Sequence, residues 1–339
     1  MSSKRSRKLL LNLIFLLLAA ALMWLILKRV DLKESWKAMK QADFSWIIGA
    51  SCITLMAHFL RAYRWNYLLE PLGYRMHEGR SFLAVLCGYL VNAGTSRGGE
   101  LVRCAMLSRS ENIPVALLLG TVITERIVDV LMLGFMFGAA LLFELKYLYG
   151  YVSEHIFLPL HDKFGTSGLI TIAAVLLAAV GLAIFFFTGK KKKSSNTDEA
   201  GLLQRLSAGL RSIFLLKRPW AFLFASIGIW MCYALSAWML MKSLPATAHL
   251  WPTAGLSIVL FSAIGISIPA PAGLGIVFPI AHGIEQVYAV SAQDAGNYAL
   301  LNLAFNNLLI LLVGSIAYLI FWLMMQKNNR TSDEHTHPG

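Results

Sequence analysis

Arg97, Glu100 and Arg103 lie within seven residues of one another around Gly98-Gly99, in the stretch Asn92-Ala-Gly-Thr-Ser-Arg-Gly-Gly-Glu-Leu-Val-Arg103. Guanidinium groups bind phosphate and carboxylate through paired, charge-assisted hydrogen bonds. Glycine lets backbone approach an anion and leaves N–H groups to meet it. The chemistry on offer is phosphate recognition, with Asn92, Arg97, Gly99, Glu100 and Arg103 as candidate binding residues. The plainer reading is a turn whose arginines only orient the chain in a membrane, but orientation alone needs neither a glutamate nor closely spaced glycines.

Two further groups share this character. In Glu125-Arg126-Ile-Val-Asp129 the carboxylates of Glu125 and Asp129 fall one helical turn apart, and Arg126 stands three residues before Asp129. Either the group touches substrate, or it is a structural ion-pair network locking its helix to Arg97 or Arg103. An unpaired charge at the bilayer centre costs about 2.5–3.5 kcal/mol on insertion scales, so partners are expected. Pro269-Ala-Pro-Ala-Gly-Leu-Gly275 offers Pro269, Pro271, Gly273 and Gly275 as a substrate-facing hinge or a tight re-entrant turn.

Other polar residues point elsewhere. Asn302, Asn306 and Asn307 on an apolar segment suit interhelical hydrogen bonds, with Asn306 kept as a secondary binding candidate. His58 and His282 are isolated on apolar segments and are expected to be satisfied by backbone groups. Cys52, Cys87, Cys104 and Cys232 show no metal or disulfide spacing and read as packing residues. No nucleophile–base pair or nucleotide loop is visible, so the chain is not expected to be an enzyme or to hold a cofactor or metal.

The elements that position these groups are membrane helices. Of 339 residues, 57% are hydrophobic and 14% charged, against about 25% charged in a soluble domain. The excess of positive charge sits beside apolar runs, which suits anionic headgroups rather than nucleic acid. The fold class is all-α: a polytopic bundle of about six full spans plus two Gly/Pro-broken re-entrant segments. One membrane domain covers residues 1–329, with halves 9–143 and 168–325, and residues 330–339 form a disordered tail. Full spans are expected over Leu9–Leu27 (uncleaved), Phe44–Leu60, Val115–Phe143, Gly168–Phe187, Pro219–Met241 and Ala299–Met325. Val115–Phe143 would be a rod of roughly 43 Å, longer than the ~30 Å hydrocarbon core. Amphipathic helices are expected within Lys28–Asp43 and Leu202–Leu216. Arg61, Arg64 and Trp65 read as an interfacial anchor closing the second span.

The broken segments Phe82–Arg103 and Leu250–Val290 occupy matching places in the two halves. Non-helical backbone at membrane depth survives only when buried in protein or lining a wet cavity, and transporters place substrate sites there. With both termini, residues 61–111 and the loop 188–218 in the cytoplasm and residues 144–167 outside, the inner regions hold 21 of the 30 Lys and Arg and the outer ones 8. The halves would then be inverted repeats, their breaks entering from opposite sides.

Asn92…Arg97-Gly-Gly99-Glu100…Arg103 resembles the N-x-x-x-P-x-R-x-G-E-x-x-R element of the flippase-like membrane domain of lysylphosphatidylglycerol synthases. Glu125-Arg126-Ile-Val-Asp129 resembles that family's [ED]-R-x-x-D helix, and Pro269 to Gly275 its P-x-P-G-G-x-G-x-x-E element. Arg64-Trp65 matches the family's pair after the second span. The likeness spans roughly residues 5–325, and a short tail in place of an aminoacyl-transferase domain suggests a stand-alone member. Thr95-Ser96 stands where the family's proline would be, Ala272 replaces a glycine, and Phe278 replaces the glutamate, with Glu285, two turns on, as a candidate to stand in for it.

The resemblance and the residues together imply a lipid translocase of the bacterial cytoplasmic membrane. It would bind and move or present an anionic phospholipid or a polyisoprenyl-phosphate-linked lipid. The alternatives are a membrane subunit of a glycosyl- or aminoacyl-transferase system, with Glu100 or Asp129 as base, or a non-catalytic partner that recruits a soluble transferase.

Overall fold

The computed structural model describes residues 31–95, 98–144, 201–266 and 271–336, with isolated positions between 153 and 167. The expected spans Leu9–Leu27 and Gly168–Phe187, the run Lys190–Lys193, and Ser96, Arg97 and Pro269 lie outside the described residues. Every element among those described is helical. The order is α1 (Leu32–Lys40), α2 (Phe44–Leu69), α3 (Glu78–Gly94), α4 (Gly99–Glu111), α5 (Val115–Phe143) and α6 (Leu202–Arg211), then α7 (Pro219–Lys242), α8 (Ala254–Ile266), a 3₁₀ turn (Pro271–Ile276), α9 (Val277–Tyr288) and α10 (Ala292–Thr336). Among the described residues, four helices are long and apolar enough to cross a membrane: 44–72, 115–143, 219–242 and 292–326. Their outward faces carry Val130, Leu131, Phe135, Phe224, Leu308 and Leu312, all exposed, which fits lipid contact.

Local signals set the boundaries. The Asp43 carboxylate accepts from the Ser45 N–H at 2.9 Å and starts α2. Pro219 opens α7, where its missing N–H costs nothing. Asn112, at φ 54°, closes α4 in the left-handed region that asparagine tolerates. The second span was expected to stop at Leu60. Instead α2 continues to Leu69, because nothing in Arg61–Leu69 breaks a helix before Pro71 and Gly73. The tail also departs from expectation. α10 stays helical to Thr336, since no proline or glycine follows Gly314 until Pro338.

Each half repeats one order: a long helix, a broken pair of short helices, then another long helix. In the first pair a Cβ on Gly88 would press on the Gly99 carbonyl, and one on Gly99 would overlap the Gly88 carbonyl, so only glycine allows α3 and α4 this contact. In the second pair Gly265 lies equally close to the backbone of Gly275 and Ile276. α7 packs along α2, α10 along α3, and the 3₁₀ turn of the second pair reaches α3, so the two broken pairs touch. A compact apolar cluster of Trp65, Leu69, Val85, Cys104, Leu107 and Leu117 fills the space between α2, α3, α4 and the start of α5.

Candidate functional site

Just beyond that cluster, α2, α4 and α5 bring seven ionisable side chains together. Arg61 and Arg64, one turn apart on α2, both reach Asp129. Arg61 Nη1 donates to Oδ2 at 2.9 Å and Arg64 Nη2 to Oδ1 at 2.8 Å. Glu125, one turn earlier on α5, accepts from Arg103 Nη2 of α4 and lies 3.5 Å from Arg64 Nη2. The side chains of Arg64 and Glu125 are wholly sealed from the surface. Arg126, next to Glu125 on α5, sits 3.4 Å from Glu100 Oε1 and 3.5 Å from Asp129 Oδ2. Charges buried this deeply require partners, and the chain supplies them from three helices.

Aromatic and hydroxyl groups fix the arginines in place. The Arg103 guanidinium lies 4.5 Å over the Trp65 ring, and the Trp65 indole N–H donates to Thr121 Oγ1 at 2.9 Å. Arg64 lies 5.8 Å from the Phe222 ring centre on α7. Stacking an arginine on an aromatic face adds attraction that grows as water is excluded. Below, Thr124 donates to the Leu210 carbonyl and ties α6 to α5 beside Glu125. His58, one turn before Arg61, lies against Tyr89 with the rings tilted and their centres 4.5 Å apart, and faces Tyr233 edge-on. Its buried Nδ1 has no hydrogen-bond partner, so the expected backbone satisfaction is not found there.

The sequence-derived candidates divide accordingly. The structure joins Glu100, Arg103, Glu125, Arg126, Asp129 and Arg64 in one group, with Trp65 stacked against it. Arg64 and Trp65 are not an interfacial anchor: both are fully buried, because α2 carries them on inside the bundle. Arg61, never chosen as a site residue, is a principal partner of Asp129. Its signal was the i, i+3 spacing with Arg64 in a segment without a helix breaker. The hydrogen-bonded partners of Glu125 and Asp129 are Arg61, Arg64 and Arg103, and Arg126 stands farther off.

Asn92 and Gly99 serve the hairpin. Asn92 Oδ1 accepts the Gly99 N–H at 2.8 Å, and Thr95 Oγ1 accepts that of Gly98 at 3.3 Å, so neither amide is left for an anion. Gly273 adopts φ 69°, a conformation that calls for glycine. Pro271 and Gly275 fall in the same turn, whose main neighbours are α3, α8, α9 and α10. Glu285 lies on α9, whose main neighbours are α8 and α10, and Phe278 stacks on His282 at 5.6 Å. Asn306 bonds within its own helix, donating to the Asn302 carbonyl at 2.8 Å, where a bond between helices was expected.

The lysylphosphatidylglycerol synthase TM region family model matches residues 12–314. The chain belongs to this family. A UPF0104 membrane protein of Methanocaldococcus jannaschii is similar to it, 28% identical over 248 residues that cover 68% of this chain and 71% of the relative. As a family member the protein is an integral membrane protein, and α2, α5, α7 and α10 are its clear spanning candidates.

Proposed function

We propose that this protein is a lipid translocase of the cytoplasmic membrane, which binds and moves or presents an anionic phospholipid or a polyisoprenyl-phosphate-linked lipid. One observation carries the reading: among the described residues, the largely buried charged group holds one cation more than it holds anions. Four guanidinium groups (Arg61, Arg64, Arg103, Arg126) face three carboxylates (Glu100, Glu125, Asp129). The Nε atoms of Arg61, Arg64 and Arg103 are buried without acceptors. A lipid phosphate brings the missing charge and several acceptor oxygens to the group at its exposed arginine, Arg126. Arg97, three residues before Glu100, adds a further cation from the sequence.

Two supports come from elsewhere. The touching broken pairs, one in each half, suit alternating access at a central site. The family's description refers to synthases of lysylphosphatidylglycerol, a phospholipid. Under this reading both termini face the cytoplasm. Arg61, Arg64 and Arg103 drop out of the topology count once they pair with carboxylates. That leaves 18 inner cations against 8 outer ones, with the same sign.

Proteoliposomes carrying a headgroup-labelled phosphatidylglycerol test the proposal. Impermeant quencher should reach nearly all the label with protein present and about half without it. A new covalent lipid product would favour the transferase-subunit reading. Crossing only after addition of a soluble transferase would favour the recruitment role.

A further inference from the structure

The ion pairs in the charged group are unequal, and the inequality marks where a ligand would enter. Arg61, Arg64 and Arg103 hold Glu125 and Asp129 in hydrogen-bonded contacts, with all five side chains nearly sealed. Arg126 differs. Its side chain is 46% exposed, and its two carboxylate contacts, at 3.4 and 3.5 Å, exceed the ~2.7–2.9 Å of a formed charge-assisted bond. Asp129 already accepts from two other arginines. Glu100 is therefore the carboxylate that Arg126 mainly serves, and the Glu100 Oε2 atom is buried with no partner.

We propose that Glu100 is a built-in stand-in for the ligand: it occupies Arg126 in the empty protein and gives way when the phosphate of an anionic lipid headgroup docks there. The proposal rests on the anionic-lipid reading of the site. A phosphate offers the planar guanidinium fork two acceptors at once, whereas Glu100 offers one oxygen at long range. Glu100 is 26% exposed and stands in the first turn of α4, where the helix dipole favours a negative charge after displacement. Glu125 could not exchange in this way, since it is sealed between Arg64 and Arg103. Free phosphate shares the headgroup's chemistry at Arg126, so the source of the anion is decided by experiment.

The protein is placed in phosphatidylcholine nanodiscs and titrated with a fluorescent short-chain phosphatidylglycerol, then challenged with inorganic phosphate. Glu100→Gln should bind the lipid about two- to fivefold tighter than the parent, the range expected when an exposed ion pair no longer competes. Arg126→Ala should bind about tenfold more weakly. The double variant should be no tighter than Arg126→Ala alone, because the two residues act on one contact. Glu100→Asp, which keeps the competing charge, should stay near the parent. Glu111→Gln, which frees Arg80 instead, should change nothing.

Unchanged or weaker binding by a folded Glu100→Gln would overturn the exchange, as would a gain that persists without Arg126. A folded parent that binds no phosphatidylglycerol would overturn the lipid reading itself. Lipid binding that resists millimolar inorganic phosphate supports the headgroup as ligand. Phosphate that competes with the same dependence on Glu100 and Arg126 would keep the exchange but reassign its ligand to free phosphate.

Discussion

The α3–α4 pair and the α8–α9 pair solve the same packing problem, each by a close backbone contact at glycine: Gly88 of α3 with Gly99 of α4, and Gly265 of α8 with Gly275 of the 3₁₀ turn that leads into α9. The first then presents Glu100 and Arg103 to the carboxylates and arginine of α5. The second presents a left-handed Gly273 and a Phe278–His282 stack. A broken helix in this protein is thus a packing device first. It becomes a candidate ligand site only where charged groups from α2 and α5 converge on it.

The sharpest way to break this contrast is to remove a charge that only the first pair engages. Glu125→Ala leaves Arg103 buried without its carboxylate and Arg64 with Asp129 alone, and should destabilise the protein by about 3–5 kcal/mol in detergent melts. A melting temperature equal to the parent's would place the group in water. Gly99→Val and Gly265→Val then test what the pairs share. Each puts a side chain into backbone and should cost about 1–3 kcal/mol, similar in both. A large loss in only one would mean the pairs are not equivalent in packing. Gly273→Ala keeps the space but strains a φ of 69°, so about 1–2 kcal/mol is expected, read by the same melts. Arg126→Ala should cost the least, about 0–1 kcal/mol, as for an exposed pair.

That small value follows from pairings the sequence does not show. Spacing alone placed Glu125, Arg126 and Asp129 on one helix and located both breaks, because hydrophobic runs and glycines report on local geometry. It could not say which arginine would face which carboxylate, since that depends on how α2 and α4 lie against α5. Arg61 and Arg64 were misplaced at a membrane surface because arginine beside tryptophan at the end of an apolar run has two meanings. The missing helix breaker before Pro71 separated them. Asn92 and Gly99 were assigned to an anion because a Gly-rich turn offers free amides, whereas here their own hairpin uses those amides.

The claim that the charged group lacks one anion is tested most directly by the lipids that leave the membrane with the protein. Mass spectrometry of the parent, purified in mild detergent, should show anionic phospholipid or polyisoprenyl phosphate enriched over its share of the bulk membrane. The enrichment should fall in Arg126→Ala while the fold is kept. A parent whose lipids match the bulk membrane, or enrichment untouched by the loss of Arg126, would contradict the account.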